Sequence, residues 1–213
     1  MFVNKYKNVS TYKKVNHLIE NVLNQKKFKK INILEFGVDK GISTSLFLKY
    51  CKRTYSKLYS VDIIDYSKLF NKKIWKFINC RDDNFIKINK IVNRKVKIIF
   101  LDTQHTAKHV EKIFYMYFNK LESGGLFIID DISWIPYTKN SWRDNEWIEN
   151  NNKNTFFKLI DIYNANQKNI HLSFIFEESG LAIITKKNNK INSLKKVKSR
   201  NFSLKNILRK IFK

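Results

Sequence analysis

The strongest constraint on the fold is a repeated alternation of short apolar runs with helix-capable stretches. Five runs rich in Ile, Leu, Phe and Val occupy residues 31–36, 58–62, 74–79, 96–102 and 126–130. The segments between them space their apolar residues as amphipathic helices do, including the stretch that follows Tyr66. Near-continuous apolar runs are typical of parallel strands covered on both faces. The sequence therefore predicts an α/β fold with a doubly wound, mostly parallel sheet.

Two further apolar runs near the end of the chain complete the predicted sheet. Residues 170–176 and 181–185 are separated only by Glu177-Glu178-Ser179-Gly180, which is too short for a crossover helix. We therefore expect an antiparallel hairpin, which raises the count to seven strands. A helix over residues 156–165 is expected before it.

The length of 213 residues fits one domain with short appendages. We expect the domain to span residues 31–185, with an aromatic insertion at 132–150 on the substrate side. The segment 1–30 is basic and carries a predicted amphipathic helix over 11–25. The tail 186–213 is also basic and is predicted to contain a helix over 203–212.

The net charge of +24 arises from 42 Lys and Arg against 18 Asp and Glu, and much of it lies in the two terminal segments. Such a balance invites a nucleic-acid interpretation. However, abundant Lys and Asn with few Ala is also what A- and T-rich codons produce, so the charge alone does not establish a polyanionic partner. No apolar run is long enough for a transmembrane helix, the N-terminus lacks a secretory pattern, and there are only two cysteines. A reduced, cytoplasmic protein is expected.

The predicted tail helix places apolar residues on one stripe and basic residues largely off it. Leu204, Ile207, Leu208 and Ile211 recur at helical spacing. A basic amphipathic helix of this kind is typical of a peripheral anchor on anionic lipid. Packing of the helix on the protein's own core, or disorder, is the alternative.

Acidic residues close four of the predicted strands. These are Glu35, Asp62, Asp102, and Asp130 with Asp131. Ligands of open parallel sheets bind beyond the carboxyl ends of the strands. Any one of these acids could simply cap the following helix, but their repetition indicates a binding edge.

The first strand-to-helix loop reads Glu35-Phe-Gly37-Val-Asp-Lys-Gly41-Ile-Ser43. It lacks the middle glycine of the G-x-G-x-x-G dinucleotide motif, so a pyrophosphate ligand is not indicated. The two glycines still allow a ligand to lie close to the backbone. Asp62, at the end of the next strand, is placed to accept hydrogen bonds from both hydroxyls of a ribose. This combination suits a nucleoside without phosphates.

An acidic residue followed by closely spaced glycines, with a second acid closing the next strand, resembles the class I S-adenosylmethionine-dependent methyltransferases. The resemblance covers roughly residues 31–185 and implies a Rossmann-like methyltransferase fold that binds S-adenosylmethionine. It places Glu35 and Gly37 at the methionine and ribose and Asp62 on the ribose, and it leaves the adenine-side acid open within Arg81-Asp82-Asp83. The implied cofactor-binding residues are Glu35, Gly37, Gly41, Ser43, Asp62, Asp82 and Asp83.

Three further acids form a candidate metal site. Asp102 and Asp130 should end neighbouring parallel strands, which lie about 4.8 Å apart. Asp131 can join them only if the strand has ended, because consecutive strand residues point to opposite faces. Carboxylates that converge in this way suit Mg²⁺. Helix capping by the Asp130-Asp131 pair is the alternative.

The stretches Phe100-Leu-Asp102-Thr-Gln-His105 and Gly124-Gly-Leu-Phe-Ile-Ile-Asp130-Asp131 resemble the metal-dependent O-methyltransferase branch. Macrocin-type sugar O-methyltransferases and the related cephalosporin-hydroxylase-like group share this pattern. The resemblance implies that Asp102 takes part in catalysis as a metal ligand. His105 stands where catechol-type relatives have a lysine general base, so it is the candidate base, with a capping or packing role as the alternative.

The aromatic insertion is expected to cover the acceptor site. Trp134, Tyr137 and Trp142, together with Trp147, could stack on a sugar ring or a phenol, and the alternative is that they pack the insertion against the sheet. The predicted function is Mg²⁺-assisted O-methylation of a small hydroxylated acceptor such as a sugar. The sequence leaves open a nucleic-acid- or membrane-binding protein on the same fold, including an RNA methyltransferase. It also leaves open hydroxylase-like chemistry and assembly into a homo-oligomer.

Overall fold

A computed structural model describes residues 6–134, 145–193 and 204–211. Within these ranges the chain forms seven strands in one sheet and six α-helices. The strands are β1 (Asn32–Phe36), β2 (Lys57–Asp62), β3 (Trp75–Asn79), β4 (Val96–Leu101), β5 (Leu121–Asp130), β6 (Ile170–Ile175) and β7 (Leu181–Lys186). The helices are α1 (Ser10–Leu18), α2 (Ile42–Thr54), α3 (Phe85–Ile91), α4 (Ala107–Tyr117), α5 (Glu146–Asn166) and α6 (Leu204–Ile211).

The sheet order is β3-β2-β1-β4-β5-β7-β6. The first five strands are parallel, while β7 pairs antiparallel with both β5 and β6. This confirms the predicted mostly parallel, seven-stranded sheet with a C-terminal hairpin. The order reverses between β1 and β4, so the crevice beyond these two strands is where a ligand is expected.

Each face of the sheet is covered by its own apolar layer. In β4, Ile99 and Leu101 face the layer that includes α4 and α5, whereas Ile98 and Phe100 face the layer that includes α1 and α2. All four side chains are buried. Burying a large apolar side chain contributes about 1.5–3 kcal/mol, so this double coverage stabilises the central strands. It also explains why the strand sequences are continuously apolar.

Two predicted helices differ from the structure. The stretch after Tyr66 contains turns instead of a helix, and the Asp65 side chain accepts a hydrogen bond from the Ser67 backbone N–H at 2.9 Å, which favours a turn. Helix α5 begins at Glu146, well before the expected residue 156, because the Asn145 side chain caps it by accepting from the Trp147 N–H at 2.8 Å. The end of the aromatic insertion is therefore helical.

The terminal helices lie close to their predicted positions. Helix α1 continues into a π-helical turn, Ile19–Leu23, so the helical segment ends two residues before the predicted end. Helix α6 occupies eight of the ten residues predicted for it. Among the described residues, no helix is both long enough and apolar enough to cross a bilayer.

Candidate active site

A cavity of about 510 Å³ lies beyond the carboxyl ends of β1, β2 and β4. Gly37, directly after β1, forms part of its wall with a φ of +93°. A Cβ atom at this position would lie 1.9 Å from the Asp102 carbonyl oxygen. Only glycine therefore permits the loops after β1 and β4 to touch at the floor of the cavity.

Asp62 ends β2 and lines the same cavity. Its carboxylate accepts hydrogen bonds from the backbone N–H groups of Val38, at 2.8 Å, and Ile64, at 3.0 Å. Since a carboxylate has about four lone-pair positions, two remain for ligand hydroxyls. The structure thus holds Asp62 in a fixed orientation between the glycine loop and the cavity.

Asp82 is buried at the wall of the cavity that lies beside α4. It accepts a hydrogen bond from the Thr103 hydroxyl at 2.6 Å, and its carboxylate lies 2.6 Å from His109 Nε2. Thr103 and His109 line the cavity as well. His109 lies one helical turn after His105, and nothing in the local sequence shows that Asp82 lies beside it.

Asp83 differs from Asp82 in that it does not line this cavity. It forms ion pairs with Lys112, at 2.9 Å, and Arg81, at 3.1 Å. Hydrogen bonds from Lys112 and Arg81 lower the pKa of Asp83 to about 2. Of the two candidate adenine-side acids, the structure therefore places only Asp82 at the cavity.

Glu35 lies beneath the cavity and does not line it. It is fully buried and accepts hydrogen bonds from the hydroxyls of Ser43 (2.7 Å), Thr44 (2.8 Å) and Ser60 (2.5 Å). Burial raises the pKa of Glu35 to about 7, with the three hydroxyls acting in the opposite direction. The Glu35 side chain ties β1 to β2 and α2, and the cofactor contact expected of it stays a prediction.

Two other residues of the first loop also have structural roles. Gly41 precedes α2 with a φ of +70° and packs against the Leu69 and Phe70 side chains, outside the cavity lining. Ser43 lines the cavity, but its hydroxyl donates to Glu35. Gly41 thus has a backbone role at the start of α2, and its cofactor-binding role stays a prediction.

The three acids of the predicted metal site do meet, and we call Asp102, Asp130 and Asp131 the acidic rim. The strands β4 and β5 are parallel neighbours, and β5 ends at Asp130. Asp131 has a φ of +54°, so the chain has already turned and both side chains reach the same place. Burial, followed by the Asp130 carboxylate, raises the pKa of Asp102 well above its usual value.

A lysine from α1 lies among these carboxylates. The ammonium group of Lys14 forms hydrogen bonds with Asp130 and with the Ser179 hydroxyl, and it lies 3.1 Å from Asp131 Oδ1. Burial alone would lower the pKa of Lys14, but the three rim carboxylates outweigh it and raise that pKa. Lys14 is therefore a buried cation.

The arrangement does not fit the predicted magnesium ion. The Lys14 ammonium already hydrogen-bonds one oxygen of Asp130 and one of Asp131, two of the three acids that would ligate the ion. Across the part of the chain that the structure describes, no group of three or more His, Cys, Asp or Glu side chains is arranged to hold a metal ion. The sequence did not reveal this, because Lys14 lies 116 residues before Asp130 in a lysine-rich segment.

His105 lies beside the acidic rim. Its Nε2 atom is 3.5 Å from Asp102 Oδ1 and 3.6 Å from Asp131 Oδ2. The His105 carbonyl accepts hydrogen bonds from Asn151, at 2.6 Å, and Thr155, at 2.8 Å, so α5 fixes the loop that carries the ring. The predicted base is thus held near carboxyl oxygens of two acids of the rim.

A second cavity, of about 360 Å³, adjoins the first. His105, Asp131 and Trp147 line it, while Thr103 and Gln104 line both cavities. The His105 ring therefore stands next to the wall that the two cavities share.

The predicted acceptor-covering aromatics have different positions. Trp134 lines neither cavity and packs instead on α5, with its ring centroid 6.2 Å from those of both Phe156 and Phe157. Trp134 thus packs within the protein, which was the alternative to covering the acceptor site. Trp147 is 70% exposed and does line the second cavity. Tyr137 and Trp142 lie outside the described residues.

Solved structures with the same fold are methyltransferases. MycE from the mycinamycin biosynthetic pathway, in complex with Mg, SAH and mycinamycin VI, has a TM-score of 0.60 at 20% identity over 85% of this chain and 51% of that one. SAH-bound PaMTH1 from Podospora anserina has a TM-score of 0.64 at 13% identity, covering 82% and 78%. A proposed caffeoyl-CoA O-methyltransferase from Staphylococcus aureus has a TM-score of 0.60 at 18% identity, covering 81% and 82%.

The fold is therefore the Rossmann-like fold of class I methyltransferases. Residues 34–132, a little under half of the chain, match the profile of a family described as a methyltransferase domain. The family match and the shared fold are thus both to methyltransferases. The chain spans about half the length of MycE. No curated protein matches it by sequence.

Proposed function

We propose that this protein transfers a methyl group from S-adenosylmethionine to a hydroxyl group of a small acceptor such as a sugar. The observation that carries the proposal is the pair of adjoining cavities with His105 beside their shared wall. The first cavity has the glycine floor and the acids suited to a nucleoside. The second has an aromatic ring and the candidate base.

The first cavity suits the adenosyl group. Asp62 has lone pairs free for the two ribose hydroxyls, and Gly37 allows the ligand to lie against the backbone. Asp82, held by Thr103 and His109, also lines the cavity and would face the adenine. The bound cofactor supplies a methyl group on a positively charged sulfur, so acidic surroundings favour it.

His105 is the residue to which we assign proton removal. As the acceptor oxygen bonds to the methyl carbon, the carbon–sulfur bond breaks, its electron pair stays on sulfur, and the imidazole takes the hydroxyl proton. Asp102 and Asp131, at 3.5 and 3.6 Å, stabilise the resulting imidazolium. S-adenosylhomocysteine and the methylated acceptor are the products. Holding the two reactants in adjoining cavities aligns them for an in-line displacement.

The proposed acceptor is a small molecule because the second cavity is small and has an exposed tryptophan ring at its edge. The face of Trp147 suits a sugar or another flat ring. The MycE complex holds mycinamycin VI together with SAH and Mg. For this chain we assign no step to a metal ion, because Lys14 occupies the acidic rim.

Calorimetric titration with S-adenosylmethionine tests the cofactor site. We expect the wild type to bind, and Asp62→Asn to bind at least about tenfold more weakly, because the amide loses a charge and an acceptor position. Asp65→Asn is the matched control, since Asp65 is exposed and only caps a turn in the following loop. Failure of the folded wild type to bind would contradict the proposal.

An RNA methyltransferase is the second candidate, and the net charge of +24 favours it. The acidic rim opposes it, since carboxylates at the mouth of the site repel phosphate. If RNA is the substrate, affinity for RNA should fall steeply with salt. We expect no RNA binding at physiological salt.

We also propose that α6 contacts anionic membrane. Leu204, Ile207, Leu208 and Ile211 are exposed on this helix, which lies in a basic tail. Co-sedimentation with vesicles that contain phosphatidylserine should deplete the wild type from solution, while pure phosphatidylcholine should not. The double variant Ile207→Glu, Leu208→Glu should stay in solution with both. Equal sedimentation of this variant would contradict the proposal.

A further inference from the structure

Lys14 is the feature of the site that the expected chemistry does not explain. It comes from α1, outside the region that matches the methyltransferase family, and its side chain is only 1% exposed. A lysine this deeply buried needs partners for its charge. It has them in Asp130 and Asp131, with the Ser179 hydroxyl as a third.

Charge and geometry allow either the Lys14 ammonium or a divalent ion to occupy the acidic rim, but not both together. Mg²⁺ binds oxygens at about 2.0–2.1 Å. An ion held by Asp130 Oδ1 and Asp131 Oδ1 would therefore take the two carboxylate oxygens that the ammonium now contacts. The displaced ammonium would then lie beside the ion as a like charge. The Ser179 hydroxyl accepts a further hydrogen bond from Lys14. Residues 8–11 line a cavity together with Lys14 and the acidic rim.

We propose that the Lys14 ammonium is the resident cation of the acidic rim, so that this protein excludes divalent metal from the rim and its methyl transfer does not depend on one. Lys14 acts as a positioning residue, because it holds Asp131, which in turn faces His105. It also fixes α1 to the end of β5, next to the cofactor cavity that Thr11 of α1 lines. The catalytic consequence rests on the proposed function, whereas metal exclusion does not.

Electron paramagnetic resonance titration with Mn²⁺, an oxygen-binding substitute for Mg²⁺, tests the proposal without any activity measurement. We expect Lys14→Gln to bind Mn²⁺ at the rim at least about 100-fold more tightly than the wild type, because a unit positive charge is removed from the site. Lys186→Gln is the matched control, since it removes the charge of another buried lysine, whose ammonium donates to two carbonyl oxygens and lies over the Phe118 ring. This control should not gain a Mn²⁺ site.

The outcomes are separable. If wild-type protein binds Mn²⁺ and Asp130→Asn abolishes that binding, the proposal is overturned. A folded Lys14→Gln variant that also fails to bind Mn²⁺ overturns the claim that the ammonium excludes metal. If Lys14→Gln does not fold, as judged by circular dichroism, the wild-type titration decides alone. Failure of the wild type to bind S-adenosylmethionine would instead remove the proposed function and leave the Mn²⁺ result intact.

Discussion

Lys14 and Lys186 are buried at opposite ends of the sheet, and their ammonium groups have different partners. At the carboxyl ends of the parallel strands, Lys14 contacts carboxylates and its pKa is raised. At the opposite end, Lys186 of β7 donates to the carbonyl oxygens of Phe118, at 3.0 Å, and Leu121, at 2.7 Å. Burial there lowers the pKa of Lys186.

The difference shows where the molecule concentrates charge. Carbonyl dipoles satisfy the N–H donors of Lys186 without compensating its charge, so this lysine can serve packing alone. The acidic rim needs a cation, and the chain supplies one from a helix that lies far away in sequence. Lys186 thus contributes to packing, whereas Lys14 compensates charge in the candidate active site.

Lys14→Met should have the largest effect of the changes we consider. It leaves the buried Asp130 without a cation, and removing one partner of a buried pair costs about 3–5 kcal/mol. The folded-state pKa values of Asp102 and Asp130, which burial already raises, then rise further above their unfolded values, so stability falls as pH rises from about 4. Urea denaturation should therefore show a greater loss at pH 8 than at pH 5. A loss that does not vary with pH would show that the ammonium does not compensate these carboxylates.

Glu35→Gln sharpens the comparison, because Glu35 is a buried acid near the same end of the sheet with hydroxyl partners and no cation. Its folded pKa of about 7 exceeds the ordinary value of 4.5, so the wild type should lose stability as pH rises from about 4.5 to 7. The pKa difference corresponds to roughly 3 kcal/mol. The neutral amide removes this titration, so the unfolding free energy of the variant should vary less over that range. Parallel pH profiles would contradict the assignment.

Lys186→Met should cost less than Lys14→Met, about 1–3 kcal/mol, since it leaves carbonyl acceptors unsatisfied but no carboxylate unpaired. Because the folded pKa of Lys186 lies below the unfolded one, wild-type stability should increase as pH rises toward 10. The methionine variant should lack that increase in thermal unfolding at pH 7 and pH 10. If Lys186→Met were the more damaging of the two, the contrast between the ends of the sheet would fail.

Lys112→Ala should have the smallest effect. Lys112 is half-exposed and pairs with Asp83, and exposed pairs contribute about 0–1 kcal/mol. Chemical denaturation should show a difference close to experimental error, and 0.5 M salt should abolish it. A loss as large as that of Lys14→Met would mean that burial does not determine how these ion pairs act.

The sheet and its acidic edge were predictable, because each depends on local sequence. Continuous apolar runs identify parallel strands, and residues at their carboxyl ends must share one edge. The proximity of Asp102 and Asp130 was therefore predictable from the sequence. Whether Asp131 joins them depended on where β5 ends. The left-handed backbone of Asp131 shows that the strand has ended before it.

The partners of these acids were not predictable. Nothing near Lys14 distinguishes it from the many other lysines in the chain, and only tertiary packing brings it to Asp130. Glu35 has the position of a ligand-binding acid, yet three hydroxyls from two neighbouring segments, α2 and β2, bind its oxygens. His109 is similar, since its pairing with Asp82 joins residues 27 apart.

The most direct test of the central claim is a crystal structure of the wild-type protein with S-adenosylhomocysteine. We predict that the nucleoside occupies the cavity between Gly37 and Asp82, with both ribose hydroxyls on the Asp62 carboxylate. Its sulfur should point toward the wall shared with the His105 cavity. Density for the ligand at any other site, with this cavity empty, would contradict the account.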